Sequence, residues 1–213
     1  MYIVDEFLHF PPANQADEYG LLAIGGDLSI ERLLLAYKNG IFPWYEEGQP
    51  VLWYSPDPRM VLLFDHLKIS KSMRQVLKKK QFIISVNTCF EEVIKKCAEQ
   101  KRKNQTGTWI TNNMIKAYTK LHEMDYALSI EVWLDKKLVG GLYGVNLKKE
   151  KVFCGESMFS AVSNASKVAF IYLHNYFKQK NYKLIDCQIY NDHLKSLGAI
   201  EISRNDFISI LNQ

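Results

Sequence analysis

The sequence predicts an α+β protein with a small N-terminal α/β lobe, residues 1–60, and a larger C-terminal domain, residues 61–213. The first observation is that all six prolines lie between Pro11 and Pro58, in a stretch that is also rich in aromatic residues. The second is that the chain from residue 81 onward alternates between the two-residue periodicity of strands and the three-to-four spacing of helices. At 213 residues the chain is long enough for one domain with a sizeable core.

The composition argues against several classes of protein. Hydrophobic residues make up 47% of the chain and charged residues 23%, as is typical of soluble globular proteins. The longest apolar stretches fall short of the roughly 20 residues that a membrane-spanning helix needs, and the N-terminus does not resemble a signal peptide. The cysteines form no CxxC pair, which favours reduced thiols in a cytoplasmic protein over disulfides or a zinc site. They are Cys89, Cys97, Cys154 and Cys187.

Positive charge is concentrated in one segment of the chain. Residues 65–104 contain eleven Lys and Arg against four Asp and Glu, a net charge of +7, so the rest of the chain sums to −3. The runs KISKSMRQVLKKKQF and KKCAEQKRKNQ therefore predict a face that binds a polyanion. A solvated helix surface explains the same charge equally well.

The N-terminal lobe contains one clearly predicted helix. It starts after the N-cap residue Ser29 and stops at Gly40, with Glu31 in its first turn and Leu33 and Tyr37 on its apolar face. The following stretch, IFPWYEEGQPVLWYSPDPR, has the proline, glycine and aromatic pattern of short strands and tight turns.

The C-terminal domain is predicted to begin with helices on either side of a strand. Ser70 is a good N-cap for a short basic helix, and residues 81–87 have the composition of a strand. Thr88 followed by Glu91 resembles a capping box and predicts that the next helix starts there. Another helix is predicted over residues 112–124.

Three strands and the most regular helix of the chain follow. The strands are predicted over residues 127–134, 137–147 and 151–159. A helix over residues 164–180 has apolar positions at three-to-four spacing, and LIDCQ, residues 184–188, is predicted to be a strand. A short helix, a last strand and a helix capped by Ser203 end the chain. This order, β-α-α-β-β-β-α-β-α-β, is that of the GNAT-like (acyl-CoA N-acyltransferase-type) fold, although order alone defines no reaction.

One expected feature of that fold is missing. Acetyltransferases hold the pyrophosphate of CoA with a glycine-rich loop at a helix N-terminus. The turn after the fourth strand reads GESMFSAVSNASK here, and it contains no glycine after Gly155. The sequence therefore argues against CoA and in favour of another activated acyl donor.

Three polar residues are candidates for a reaction centre. Glu156 falls in that turn between apolar neighbours, and Asp186 and Gln188 share one face of the next strand. A carboxylate and an amide beside apolar side chains suit the binding of an amine nucleophile and the orientation of a carbonyl. The same residues also fit a helix cap for Glu156 and hydrogen bonding of buried backbone for Gln188.

Aromatic residues offer surfaces on which nucleic-acid bases could stack. Several lie in the N-terminal lobe, among them Tyr37 and Trp44, and Trp109 stands alone in the C-terminal domain. An aromatic-rich segment is also typical of an ordinary core. Only its combination with the basic segment favours binding of a single-stranded RNA end.

Longer blocks of the sequence identify a family. GLLAIGGDLS, RLLLAYKNGIFPWY, LWYSPDPR, GTWIT, LVGGLYG, FCGESMFS, NASK, LIDCQ and SLGA occur in the order and spacing of one family, from about Phe10 to Leu211. The chain resembles the leucyl/phenylalanyl-tRNA–protein transferases. It departs from their pattern at Tyr54, where Trp is expected, and at Leu128, where His is usual.

The resemblance implies a defined reaction. Members of this family transfer Leu or Phe, and less readily Met, from aminoacyl-tRNA to the α-amine of proteins that begin with Arg or Lys. The new N-terminus is an N-degron, which the degradation machinery of the bacterial cytoplasm reads under the N-end rule. Because the tRNA ester is already activated, the resemblance implies no cofactor (no CoA, ATP or metal), and this accounts for the missing phosphate loop. It further implies a cytoplasmic monomer without membrane attachment.

The resemblance also implies roles for individual residues. Glu156 and Gln188 match the reaction-centre pair, with Asp186 orienting Gln188 and with Tyr118 and Asn191 contributing nearby. The residues implied to hold the 3′-terminal adenosine are Tyr37, Trp44 and Trp109. The residues implied to form the pocket for the aminoacyl side chain are Leu142, Phe153, Met158, Leu173 and Ile185. The candidate contacts to tRNA phosphates are Lys71, Arg74, Lys78, Lys79 and Lys80.

The route of the amine proton is a further expectation. An amide is a poor base, so we expect Gln188 and Glu156 to position the amine while the ribose hydroxyl of the substrate assists proton transfer. Beyond this pair, Asp192 is expected to cap a helix and His193 to lie on the surface.

Two alternative functions remain open. One is a CoA-dependent N-acetyltransferase, which the missing loop disfavours, and the other is a non-catalytic RNA-binding module, which the Glu–Gln pair disfavours.

Overall fold

The computed structural model describes residues 2–100 and 108–213, which form two β-sheets with helices around them. The strands are β1 (Tyr2–Val4), β2 (Leu21–Gly25), β3 (Phe42–Pro43), β4 (Leu52–Tyr54), β5 (Arg59–Leu63), β6 (Ile83–Val86), β7 (Ala127–Leu134), β8 (Lys137–Leu147), β9 (Val152–Ser160), β10 (Leu184–Gln188) and β11 (Ile200–Ile202). The α-helices are α1 (Ile30–Lys38), α2 (Lys71–Lys78), α3 (Phe90–Glu99), α4 (Asn112–Glu123), α5 (Ala165–Lys178), α6 (Asp192–Ser196) and α7 (Arg204–Leu211). The element order predicted from residue 81 is confirmed.

The small sheet has the strand order β1-β2-β4-β3, with β1 parallel to β2 and the other pairs antiparallel. Trp53 lies at the centre of this sheet, and its fully buried indole joins β4 to β2 by donating a hydrogen bond of 2.8 Å to the Gly25 carbonyl. Phe10 packs edge-on against the same indole, with 4.8 Å between ring centroids. The aromatic residues of this segment therefore build a core as well as a potential binding surface.

The large sheet has the strand order β11-β5-β10-β9-β8-β7-β6, and β10 runs parallel to β9 while the other neighbours are antiparallel. Together with the element order, this confirms the mixed, GNAT-like fold. The sequence did not predict β5. It starts at Arg59, at the end of the proline-rich stretch, and inserts between β10 and β11.

Helices cover both faces of the large sheet. Helix α5 contacts β7, β8 and β9 and shares one cluster of buried residues with them. Helices α3 and α4 pack against each other and against the same strands, and their buried residues belong to a second cluster. Gly140 permits the close approach of α5, since a Cβ atom at this position would lie 2.5 Å from the Cβ of Ala165. Within the described parts of the chain, no helix combines the length and apolar character needed to cross a membrane.

Two of the predicted helix starts are built differently from the expectation. Helix α3 has Cys89 at its N-cap without a side-chain cap, so the capping box of Thr88 and Glu91 was wrong. The Thr88 hydroxyl instead donates to the buried Glu131 carboxylate at 2.9 Å, which would otherwise lose hydrogen bonds in a dry core. Ser29 precedes α1 as predicted, but its side chain makes no cap bond. The caps predicted at Ser70 and Ser203 are confirmed.

Candidate active site

A cavity of about 440 Å³ opens where two parallel strands separate. β9 and β10 pair only as far as Cys154 and Asp186, and both strands continue beyond that point. The separated ends form one wall of the cavity, and Phe42 and Pro43 of strand β3, with Trp44 directly after it, form another. The parts of the sequence that carry the predicted site therefore meet here.

Glu156 lies inside strand β9, which agrees with the strand predicted over residues 151–159, and not in the turn that was expected to follow it. Its side chain is buried and accepts three hydrogen bonds. One carboxylate oxygen accepts from the Tyr37 hydroxyl at 2.8 Å and from the Gln188 amide nitrogen at 2.9 Å, and the other accepts from the Tyr118 hydroxyl at 3.2 Å. Burial raises the pKa of Glu156 to about 7 from 4.5, although these three donors partly oppose the rise.

Two tyrosine hydroxyls donate hydrogen bonds to the Glu156 carboxylate. Tyr37 on α1 and Tyr118 on α4 are buried, and their hydroxyl oxygens also lie in contact with each other. Burial, followed by the Glu156 charge, raises the pKa of both hydroxyls well above the usual 10, so both remain protonated donors. Both rings lie outside the cavity lining. A contact of Tyr37 with adenosine stays a prediction.

Gln188 ends strand β10 with an unusual backbone. Its φ is +64°, a left-handed conformation that costs a non-glycine residue energy and that recurs at functional sites. The Asp186 carboxylate stabilises it by accepting the Gln188 backbone N–H at 2.9 Å. Asp186 thus contacts Gln188 through the main chain. Because the Gln188 amide nitrogen donates to Glu156, its amide oxygen is the atom left to accept a hydrogen bond in the cavity.

Arg59 is a residue of this site that sequence reasoning missed. Its guanidinium donates two hydrogen bonds, of 2.8 and 2.7 Å, to the two oxygens of Asp186, and a third of 3.1 Å to the Gly40 carbonyl. The rings of Phe42 and Phe207 flank it, with centroids at 4.8 and 4.6 Å. Arg59 therefore contacts β10 through Asp186, the small sheet through Phe42 and α7 through Phe207. Arg59 is the final residue of the sequence block LWYSPDPR, which was noticed. Its role was missed because its partner Asp186 lies 127 residues away in the sequence.

The residues predicted to form the aminoacyl pocket lie together on the cavity lining. All five of its residues line the cavity, and Phe170 joins them. They are Leu142, Phe153, Met158, Leu173 and Ile185. Trp44 and Trp109 also line the cavity and are partly buried. Tyr54 packs edge-on against Trp44, with 5.5 Å between ring centroids.

The segment after Gln188 differs from the expectation. Asn191 caps α6, since its side-chain oxygen accepts from the backbone N–H groups of His193 and Leu194 at 2.9 and 3.3 Å. The cap expected from Asp192 was therefore wrong. His193 was expected on the surface, but it is half-buried and lines the cavity. Burial lowers the pKa of its imidazole below 6.5, and the Lys167 charge adds to this shift.

The predicted phosphate contacts lie away from the cavity. All five are exposed on α2 or directly after it; they are Lys71, Arg74, Lys78, Lys79 and Lys80. Part of the second basic run, residues 101–103, lies outside the described residues. Over residues 2–100 and 108–213, no group of three or more His, Cys, Asp and Glu side chains is arranged to hold a metal ion.

Comparison with known proteins identifies the family. A model described as leucyl/phenylalanyl-tRNA protein transferase matches residues 61–212, and one for the N-terminal domain of that family matches residues 26–57. Proteins named leucyl/phenylalanyl-tRNA–protein transferase are similar to this chain over most or all of their length. The one from Flavobacterium johnsoniae is 62% identical over 99% of each chain, and the one from Flavobacterium psychrophilum is 57% identical over 100% of each. The chain therefore belongs to the leucyl/phenylalanyl-tRNA–protein transferase family and is an aminoacyltransferase.

Proposed function

We propose that this enzyme transfers Leu or Phe, and less readily Met, from aminoacyl-tRNA to the α-amine of proteins that begin with Arg or Lys. The product is an N-degron, and the enzyme works as a cytoplasmic monomer. The observation that carries the proposal is the hydrogen bond of 2.9 Å between the Gln188 amide and Glu156 at the wall of a largely apolar cavity. A polar pair at one edge of an apolar pocket suits an acyl donor with an apolar side chain and a polar nucleophile.

The donor occupies the apolar side of the cavity. The Leu or Phe side chain packs against Phe153 and Met158, and Trp44 and Trp109 stack on the terminal adenosine. Tyr37, which is buried behind the cavity wall, supports that end. A β-branched Ile or Val side chain misplaces a methyl group in such a pocket, at a cost of about 1–3 kcal/mol. The aminoacyl ester then lies beside Gln188.

The nucleophile approaches from the polar side. The amide oxygen of Gln188 accepts a hydrogen bond from the incoming α-amine, and the Glu156 carboxylate attracts that amine electrostatically. The amine nitrogen forms a bond to the ester carbonyl carbon, and the bond from that carbon to the ribose oxygen breaks. The proton leaves the amine through the neighbouring ribose hydroxyl and ends on the departing ribose oxygen, so no cofactor takes part.

One assay separates this function from its rivals. A peptide that begins with Arg is incubated with the enzyme and either Leu-tRNA or acetyl-CoA, and the peptide is then weighed by mass spectrometry. We expect the mass to rise by one leucyl residue with Leu-tRNA and to stay unchanged with acetyl-CoA. An added acetyl group would support a CoA-dependent acetyltransferase, and an unmodified peptide in both reactions would contradict the proposed transfer.

Charge reversal on the basic face tests the tRNA contact. We propose that α2 and the residues after it bind the acceptor stem through its phosphates, so binding depends little on sequence. Changing Lys78, Lys79 and Lys80 to Glu should weaken binding of Leu-tRNA, and the slope of log affinity against log salt should decrease by about one unit per lost contact. Filter binding across a salt series measures both quantities.

A matched variant controls for net charge. Lys136 and Lys149 lie on the turns that flank β8, and Lys137 is its first residue. All three are exposed and undergo the same change of charge when replaced by Glu. We expect this triple variant to bind tRNA more tightly than the α2 variant. Unchanged binding in the α2 variant would mean that its lysines only solvate the helix surface.

A further inference from the structure

A cation already lies on an aromatic ring at the rim of the cavity. Tyr190 lines the cavity, and 46% of its surface is exposed. The Lys195 ammonium lies 5.1 Å from the centroid of the Tyr190 ring, within the distance at which a ring face attracts a cation. The Tyr190 hydroxyl donates a hydrogen bond of 2.7 Å to Asp192. An aromatic face and an exposed carboxylate are therefore joined at the cavity rim.

The carboxylates inside the cavity wall are already engaged. Asp186 pairs with the Arg59 guanidinium and also accepts the Gln188 backbone N–H. Glu156 accepts hydrogen bonds from two tyrosines and from Gln188. Both carboxylates are buried, whereas Asp192 is exposed. Asp192 does not line the cavity itself, but its hydrogen bond with Tyr190 places an exposed carboxylate at the rim for a second positive group that enters beside an amine at Gln188.

The rim lies within reach of the reaction centre. Tyr190 follows Gln188 by two residues, so their Cα atoms are at most about 7 Å apart. The flexible four-carbon stem of a Lys side chain, or the similar stem of Arg, spans a distance of this order. The backbone is held on both sides of this pair, because the Gln188 N–H donates to Asp186 and, directly after Tyr190, the Asn191 N–H donates to the Met60 sulfur.

We propose that Tyr190 and Asp192 form the subsite for the basic side chain of the acceptor's first residue. This inference rests on the proposed transfer to proteins that begin with Arg or Lys, and it assigns the residues that select them. The guanidinium or ammonium group stacks on the Tyr190 ring and pairs with Asp192, while the α-amine lies at Gln188. Lys195 occupies the same ring in the free enzyme and is displaced when the acceptor binds.

Steady-state kinetics with an Arg-starting peptide and saturating Leu-tRNA test the subsite. Asp192→Asn and Tyr190→Leu should each raise the KM for the peptide about tenfold, with kcat and the KM for Leu-tRNA unchanged within about twofold. Tyr190→Phe keeps the ring, so its effect should be smaller than that of Tyr190→Leu. Lys195→Met removes the internal competitor and should lower the KM for the peptide.

The Lys195 variant distinguishes recognition from a merely structural role. If the rim only needed to stay folded, Lys195→Met would raise the peptide KM as the other changes do, and this would overturn the inference. Peptide KM values within twofold of the parent for both Asp192→Asn and Tyr190→Leu would also overturn it, while the proposed function would stand. Absence of transfer by the unaltered enzyme to Arg- and Lys-starting peptides would overturn the proposed function and this subsite with it.

Discussion

Replacing Arg59 by Met should lower the free energy of unfolding by about 3–5 kcal/mol, because the Asp186 carboxylate would remain buried without a compensating cation. The exposed fraction is 1% for Arg59 and 0% for Asp186, so water cannot take the place of the guanidinium. Two charge-assisted hydrogen bonds, of 2.8 and 2.7 Å, would be lost together. Urea denaturation near neutral pH, followed by circular dichroism, measures the change.

Two further variants control this prediction. Arg74→Met removes an exposed arginine from α2 and should change the free energy of unfolding by about 0.5 kcal/mol or less. Arg59→Lys keeps the positive charge but cannot form the planar two-pronged contact, so its effect should fall between the other two. A loss for Arg59→Met no larger than that for Arg74→Met would contradict the importance of the buried pair.

The same substitution should also reduce activity. Asp186 accepts the backbone N–H of Gln188, whose left-handed conformation depends on that support. Without Arg59 the Asp186 carboxylate would lose two hydrogen bonds and its fixed position, and Gln188 would lose its position beside Glu156. The ion pair therefore connects the stability of the fold to the geometry of the reaction centre.

Local periodicity was sufficient to predict most of the large sheet. The alternation over residues 127–134 and 137–147 predicted β7 and β8 with the bounds that the structure has. Strand β5 could not be found in this way, because its short apolar run follows a proline-rich stretch and has no clear period. Its partners β10 and β11 follow more than a hundred residues later, and only the folded chain brings them together.

The candidate site shows the same division between local and long-range information. The two-residue spacing of Asp186 and Gln188 indicated a shared face of one strand. It did not show that Gln188 has a left-handed backbone or that Asp186 contacts it through the main chain. The hydroxyls of Tyr37 and Tyr118 meet across 81 residues of sequence, and no local pattern marks residues that meet only through tertiary packing.

Replacing Glu156 by Gln should lower kcat about 100-fold or more, while the KM for Leu-tRNA changes by about twofold or less. A neutral amide does not attract the amine, and it accepts hydrogen bonds from Tyr37, Tyr118 and Gln188 less strongly than a carboxylate does. Gln188→Ala should show the same separation of kcat from KM. If both variants mainly lost affinity for tRNA, the assignment of this pair to the reaction centre would be wrong.

The same Glu156→Gln substitution should stabilise the fold above neutral pH. With the pKa of Glu156 raised by burial to about 7 from 4.5, the folded chain retains between these values a proton that the unfolded chain has released. The contribution of this group to the free energy of unfolding is therefore full below about pH 4.5 and is lost as the pH rises through 7. The difference amounts to about 3 kcal/mol.

Glutamine does not titrate, so the stability of the variant relative to the parent should rise by up to about 3 kcal/mol between about pH 5 and about pH 8. Urea denaturation across this range measures it, with the exposed Glu123→Gln as a control that should follow the parent. Parallel curves for Glu156→Gln and the parent would contradict the raised pKa. A variant that is more stable and nearly inactive would show that the buried carboxylate serves the reaction at the expense of the fold.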